Sequence, residues 1–353
     1  MSAEFVSGSF HRSAIPRSIC WAWVLTLSVQ IAPLRAVSIS CEGEESPAAK
    51  PLVPGSQLLK ALAPAELELL RDTVAYQICM GRDIETSYRQ IEQANELKAL
   101  EEKGSVYPLV AAMYAQLTTA PELPPDRPRA LALIGDRYHH PGYIRPPLEA
   151  ACSKAGVAVT FIYDVRLFNP QVLNHYDLLI ILRDGMLWPE PSAEDPFGKK
   201  RVFWLTSEQE QTLASFLCLG RAYLALHNAT ALKDLRGEES LYRDILGASY
   251  AGHGTPGELY EVEVVDRAHP VAHLVKNFWV TDERHWPTVH AADAKVFLEA
   301  TVAARTCVHG FTRHYGQGRI CYLANGHYRD VLESPPMQQL MANAIRWCVA
   351  PGD

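Results

Sequence analysis

Five apolar runs constrain this chain more than any other feature: ALALIG (130–135), VAVTFIY (157–163), YDLLIIL (176–182), RAYLALH (221–227) and RICYLA (319–324). A strand that is apolar along its whole length must be covered on both faces, and helices packed on either side of a parallel sheet provide that cover. The runs are separated by helical stretches, so the pattern predicts a doubly wound, mostly parallel α/β domain over residues 127–350. SEQEQTLASFLCLG (207–220), with Ser207 as its cap, and PMQQLMANAIRWCVA (336–350) read as helices, and Pro146 and Pro147 read as opening a helix that runs to Ala155. ELYEVEVVD (258–266) alternates polar and apolar residues, as an edge or antiparallel strand does.

Upstream of this domain the character differs. TTAPELPPDRPR (118–129) holds four prolines and marks a boundary. Before it, Leu58, Leu59, Leu62, Leu67, Leu70, Val74 and Ile78 recur at helix-face spacing, which predicts a small helical segment over 57–120. Residues 39–56 are polar and Pro-rich, as a linker is. At the start, Arg12 and Arg17 precede the apolar run ICWAWVLTLSVQIAPL (19–34), and Ala36-Val37-Ser38 supplies small residues. Residues 1–38 therefore read as a signal peptide or anchor, and the expectation is a secreted or periplasmic protein, with membrane attachment through the N-terminus as the alternative.

The formal net charge is -7 and no basic stripe is present, so nucleic acid is set aside as a partner. Of eight cysteines, cleavage after Ser38 would leave seven, and no CxxC or Cys/His spacing occurs; neither a disulfide framework nor a zinc ribbon is expected. A homo-oligomer is left open.

In doubly wound sheets ligands bind beyond the carboxyl ends of the strands, so polar residues that follow each strand carry most weight. After the first come Asp136, Tyr138 and His139; after the fourth, His227 and Asn228; after the last, His327 in an Asn-Gly-His turn. His253 lies in the Gly-rich stretch YAGHGTPG, whose backbone can approach the same rim. The sequon Asn228-Ala-Thr falls in the expected crevice, and RDGMLWPEPSAEDPFGKK (183–200) is a Pro-rich loop of lid size or a surface insertion.

YLALHNA, LYRDILGASYAGHG, VVDRAHPVAHLVKNFWVTDERHW and GFTRHYGQGRICYLANGHYRDVLESPPMQQLMANAIRWC occur in that order, and together they resemble the ThuA-like (trehalose utilisation) family, which has the class I glutamine amidotransferase-like fold. The resemblance implies a carbohydrate ligand, a disaccharide or a keto-sugar derivative. Amidotransferases of this fold carry a nucleophilic Cys at the turn after the fourth strand. Here His227 and Asn228 stand there, which speaks against glutamine hydrolysis, and Asn228 replaces a second His common in the family pattern.

His227, Glu283 and His327 are then the expected acid-base set, Asp136, Tyr138, His139 and His253 the expected contacts to substrate, and Trp286 a flat face for a sugar ring. The same histidine and carboxylate set also suits a divalent metal such as zinc. A non-catalytic binding or assembly module on an amidotransferase-like scaffold is the competing expectation.

Overall fold

The computed structural model describes residues 55–101, 105–125, 128–191, 202–233 and 240–351. The predicted signal peptide or anchor, and the linker up to residue 54, lie outside the described residues, as does the loop 192–201.

Five helices come first: α1 (Gly55–Lys60), α2 (Pro64–Cys79), α3 (Ile84–Ala94), α4 (Lys98–Glu101) and α5 (Tyr107–Leu117). Pro64 opens α2, where a missing N–H costs nothing, and Leu70, Val74 and Ile78 form its buried stripe. The α/β part follows as β1 (Arg129–Ile134), α6 (Pro141–Ala155), β2 (Ala158–Ile162), α7 (Pro170–Leu173), β3 (Leu178–Leu182), β4 (Met186–Leu187), β5 (Val202–Phe203), α8 (Ser207–Cys218), β6 (Ala222–Leu226), α9 (Leu241–Leu246), β7 (Ala248–His253), β8 (Glu258–Val264), β9 (Phe278–Asp282), β10 (His285–Val289), β11 (Lys295–Val302), β12 (Arg305–Tyr315), β13 (Gly318–Leu323), α10 (Arg329–Glu333) and α11 (Pro335–Val349).

The main sheet runs β2-β1-β3-β6-β13-β12-β11-β8-β9. Its first five strands are parallel, and the remaining four extend it with antiparallel pairings. On β1, β3 and β6 successive residues enter two different cores. Ala130, Ala132, Ile134, Ile180 and Leu224 join one that includes residues of α2, α5, α6 and α11; Leu131, Leu133, Ile181 and Tyr223 join another with α8 and α9. Two covered faces are the reason these strands are apolar throughout. The alternating segment 258–266 supplies β8, antiparallel and next to the edge strand β9.

Two local expectations are corrected. Helix α6 starts at Pro141, with His140 as its cap accepting from the Gly142 N–H, so Pro146 and Pro147 lie inside it and do not open it. Helix α8 is capped by Thr206 and not by Ser207, because Thr206 Oγ1 accepts from the Gln209 N–H while the Thr206 N–H donates to Gln209 Oε1.

The helical segment belongs to the same compact unit as the sheet. The C-terminal end of α2 docks where β1 and β3 end. Cys79 Sγ donates to Ile134 O, Tyr76 Oη to Arg137 O, and Arg183, wholly buried, to Cys79 O.

Candidate functional site

All five parallel strands point the same way, so the segments leaving β1, β3, β6 and β13 emerge at one end of the sheet. The β7–β10 ribbon, two antiparallel strands, brings His253 opposite His285 there. Together these segments line a cavity of about 400 Å³ that includes Tyr138, His139, Asp184, His253, Glu283 and His327.

At its base, the ligand atoms of His139, His227, Glu283 and His327 all lie within 4.8 Å of one another. His227 follows β6 with φ 48°, a left-handed conformation uncommon for a residue with a side chain. Its Nδ1 is 2.8 Å from Ala324 O, so Nδ1 carries the proton and, in the neutral ring, Nε2 keeps its lone pair. That Nε2 is buried with no hydrogen-bond partner among the described residues, 3.5 Å from Glu283 Oε2.

His139 is fixed the same way. Its Nδ1 lies 2.8 Å from Asp136 Oδ1, which turns Nε2 to within 3.0 Å of His327 Nδ1. Asp136 also accepts from the backbone N–H groups of Tyr138, His139 and Asp184 and from the Asn228 amide. His327 is placed by Asp282, whose carboxylate accepts from the N–H groups of Gly326 and His327. Glu283 accepts from His285 Nε2 at 2.9 Å and lies 3.2 Å from His253 Nδ1.

These contacts set the charges. Burial opposes ionisation of Glu283, but the imidazoles of His227, His285 and His327 together outweigh it and hold the carboxyl well below its usual range. Burial likewise opposes ionisation of Asp136, and His139 and Asn228 reverse the balance, keeping it low. Burial would depress His227, yet Glu283 and Asp282 raise it above the ordinary imidazole value; for His139 and His285 burial prevails and the shift is downward. Asp184 differs from the other carboxyls of the site. Burial, and then the Asp136 charge, push it well above the carboxylate range.

Over residues 129–348 the sequence matches the family model described as ThuA, trehalose utilisation. The chain belongs to the ThuA family. A ThuA-like protein from Parabacteroides merdae is similar at 15% identity and a TM-score of 0.49, over 64% of this chain and 91% of its own. One from Bacteroides uniformis shows 16% and 0.45, over 63% and 91%. A beta-galactosidase from Rahnella sp. R3 shows 15% and 0.43, over 71% of this chain and 35% of its own. No curated protein matches the chain.

In this ThuA protein, His139, His227, Glu283 and His327 meet as one cluster, and His253 and Tyr138 stand at its rim, the latter 37% exposed. Two expected contacts lie elsewhere. Asp136 is fully buried behind His139, so it orients that ring and meets no substrate. Trp286 is turned away by the alternation along β10: its ring lies under the Arg284 and Arg305 guanidinium groups and its N–H donates to Ala251 O. Asn228 is buried, which removes it as a glycosylation acceptor in this fold, and it serves as a donor to Asp136. His285, Tyr250 and Asp184 line the pocket without having been singled out. Asp184 stands two residues after the end of β3, so the strand-end rule applied to that strand would have found it.

Proposed function

We propose that the cluster is a three-histidine, one-glutamate centre for a divalent metal such as zinc, and that it acts on a carbohydrate held in the pocket above it. One observation carries the reading: His139 and His227 each have Nδ1 tied to an acceptor, so their Nε2 lone pairs face Glu283 and His327 from within 4.8 Å. An imidazole fixed by a carboxylate or a backbone carbonyl on its far nitrogen is the usual support of a metal-binding His. When bound, such an ion polarises a sugar carbonyl or lowers the pKa of a bound water.

The chain's own residues do the rest. Asp184, which burial and the Asp136 charge push toward its protonated form, lines the cavity as its candidate acid. Tyr138, Tyr250 and His253 line the mouth, where hydroxyl and imidazole groups meet sugar hydroxyls. A cavity of this size suits a small molecule, and the family's trehalose-utilisation description supports a disaccharide or its keto derivative. Export, read from residues 1–38, belongs to the same proposal and predicts a mature chain lacking Met1.

The test is metal content by mass spectrometry, on the purified chain and on His227→Ala, after both are offered zinc and dialysed. Near-stoichiometric metal in the wild type and its loss in the variant is the expected result. Metal-free protein in both overturns the metal centre and leaves His227, Glu283 and His327 as an acid-base set.

A further inference from the structure

We propose that a second cavity, at the opposite end of the sheet from the histidine cluster, binds a small phosphorylated molecule. His327 follows the carboxyl end of β13, whereas Arg319 stands near its amino end, beside Ala222 at the start of β6. At roughly 3.3 Å per residue the two sites are roughly 15 Å or more apart.

The cavity measures about 760 Å³ and is lined by Arg267, Lys295, Arg313, Arg319 and Arg346, with Asp293 as the one carboxylate among the described residues that line it. That is an excess of cations in a chain of net charge -7. Arg313 pairs with Asp293 at 3.4 Å. The other guanidinium groups are held by neutral acceptors: Arg319 donates to the carbonyls of Trp347, Ala350 and Pro351, Arg346 to the Asn343 amide oxygen and to Lys154 O, and Arg267 to the Asn277 amide oxygen. Lys295 is exposed and has no partner among the described residues.

The negative end of α11 offsets part of the charge on Arg319 and on Arg346, which lies in its last turn. Three held guanidinium groups and the exposed Lys295 therefore surround one concavity with no carboxylate partner among the described residues, which costs mutual repulsion and focuses a positive potential into it. Guanidinium forks match phosphoryl oxygens in pairs, and the volume exceeds what a bare ion needs, leaving room for an organic body beside the Trp347 ring.

Calorimetric titration of the full chain with inorganic phosphate and pyrophosphate, against sodium chloride at matched ionic strength, tests this. The expected result is saturable binding by the wild type, weakened about tenfold or more in Lys295→Glu and in Arg267→Glu, and retained in His227→Ala. Binding that chloride reproduces, or that both charge reversals leave intact, overturns the proposal. So does binding lost in His227→Ala, which would place the phosphate at the histidine cluster. Both reversed residues are exposed, and circular dichroism of each variant shows whether its fold is kept.

Discussion

His227 has a side chain held in a backbone conformation that suits glycine, with φ 48°. A left-handed conformation costs a residue with a Cβ on the order of 1 kcal/mol. His227→Gly is therefore expected to be more stable than His227→Ala by about 1 kcal/mol in urea unfolding, since both lose the imidazole and glycine alone loses the strain. Equal stabilities would mean the turn carries no strain. Behind the cluster, Asp136→Asn keeps the shape but replaces an acceptor oxygen with an amide, so it weakens the hold on His139. A loss of 10- to 100-fold in zinc affinity, read by competition with a chromophoric chelator, is the expected outcome; unchanged affinity would remove Asp136 as the orienting group. Much of this site was legible from one rule, that polar residues following parallel strands gather at one rim, and His139, His227 and His327 obey it. Trp286 was not legible, because whether a strand residue faces a pocket depends on the register of the β7–β10 ribbon, which shifts between His285 and Pro287.

The helical segment shows what sequence periodicity can reveal about an element and what it cannot. The stripe Leu70, Val74 and Ile78 marks α2 as amphipathic, but not the surface it covers. The structure answers at Gly135, which has φ +91° just after β1 and whose hypothetical Cβ would sit 2.6 Å from Cys79 Sγ and 3.1 Å from Pro141 Cβ. Helix α2 and the start of α6 thus approach the end of β1 too closely for any side chain. Gly135→Ala combines backbone strain with overpacking and is expected to cost about 2–4 kcal/mol in urea unfolding. Adding Cys79→Ala should recover the sulfur's share of the clash and leave the strain and the Pro141 contact, and a full recovery would show that φ contributes nothing. The start of α6 was misread for a related reason. Prolines are favoured in a first turn, yet here Pro141 already occupies that position behind the His140 cap, and tertiary packing tolerates Pro146 and Pro147 further in.

At the scale of the whole molecule, the parallel half of the sheet was legible because strands covered on both faces are apolar at every position. The antiparallel half was less so: β9 alternates buried and exposed residues, and nothing local fixes which strand it joins. The two halves meet at the β13–β12 pairing, and His309 of β12 lies at that seam. Its Nδ1 is 3.2 Å from Asn325 Oδ1, and because the Asn325 amide donates to Tyr260 and Asp282, the Asn325 oxygen is the acceptor and His309 Nδ1 the donor. The proton of a charged His309 would then sit on Nε2, which is buried without a partner among the described residues. Burial accordingly pushes this histidine down to about 4, Asn325 opposes the shift, and Arg284 and His227 add to it. The unfolded chain takes up a proton near pH 6.5 while the folded chain does not until about pH 4. More protons on the unfolded state within that window means that stability rises with pH there. Above about pH 6.5 His309 contributes no pH dependence, and as the pH falls to about 4 its share of the lost stability reaches on the order of 3 kcal/mol. His139 and His285 shift the same way, so the wild-type curve contains their shares too. His309→Gln isolates the term, since a glutamine amide can donate to Asn325 and has no proton to gain. Urea unfolding at about pH 7 and about pH 4.5 should show wild type losing roughly 2–3 kcal/mol more than the variant. Equal losses would mean that His309 already finds an acceptor for its second proton in the folded state.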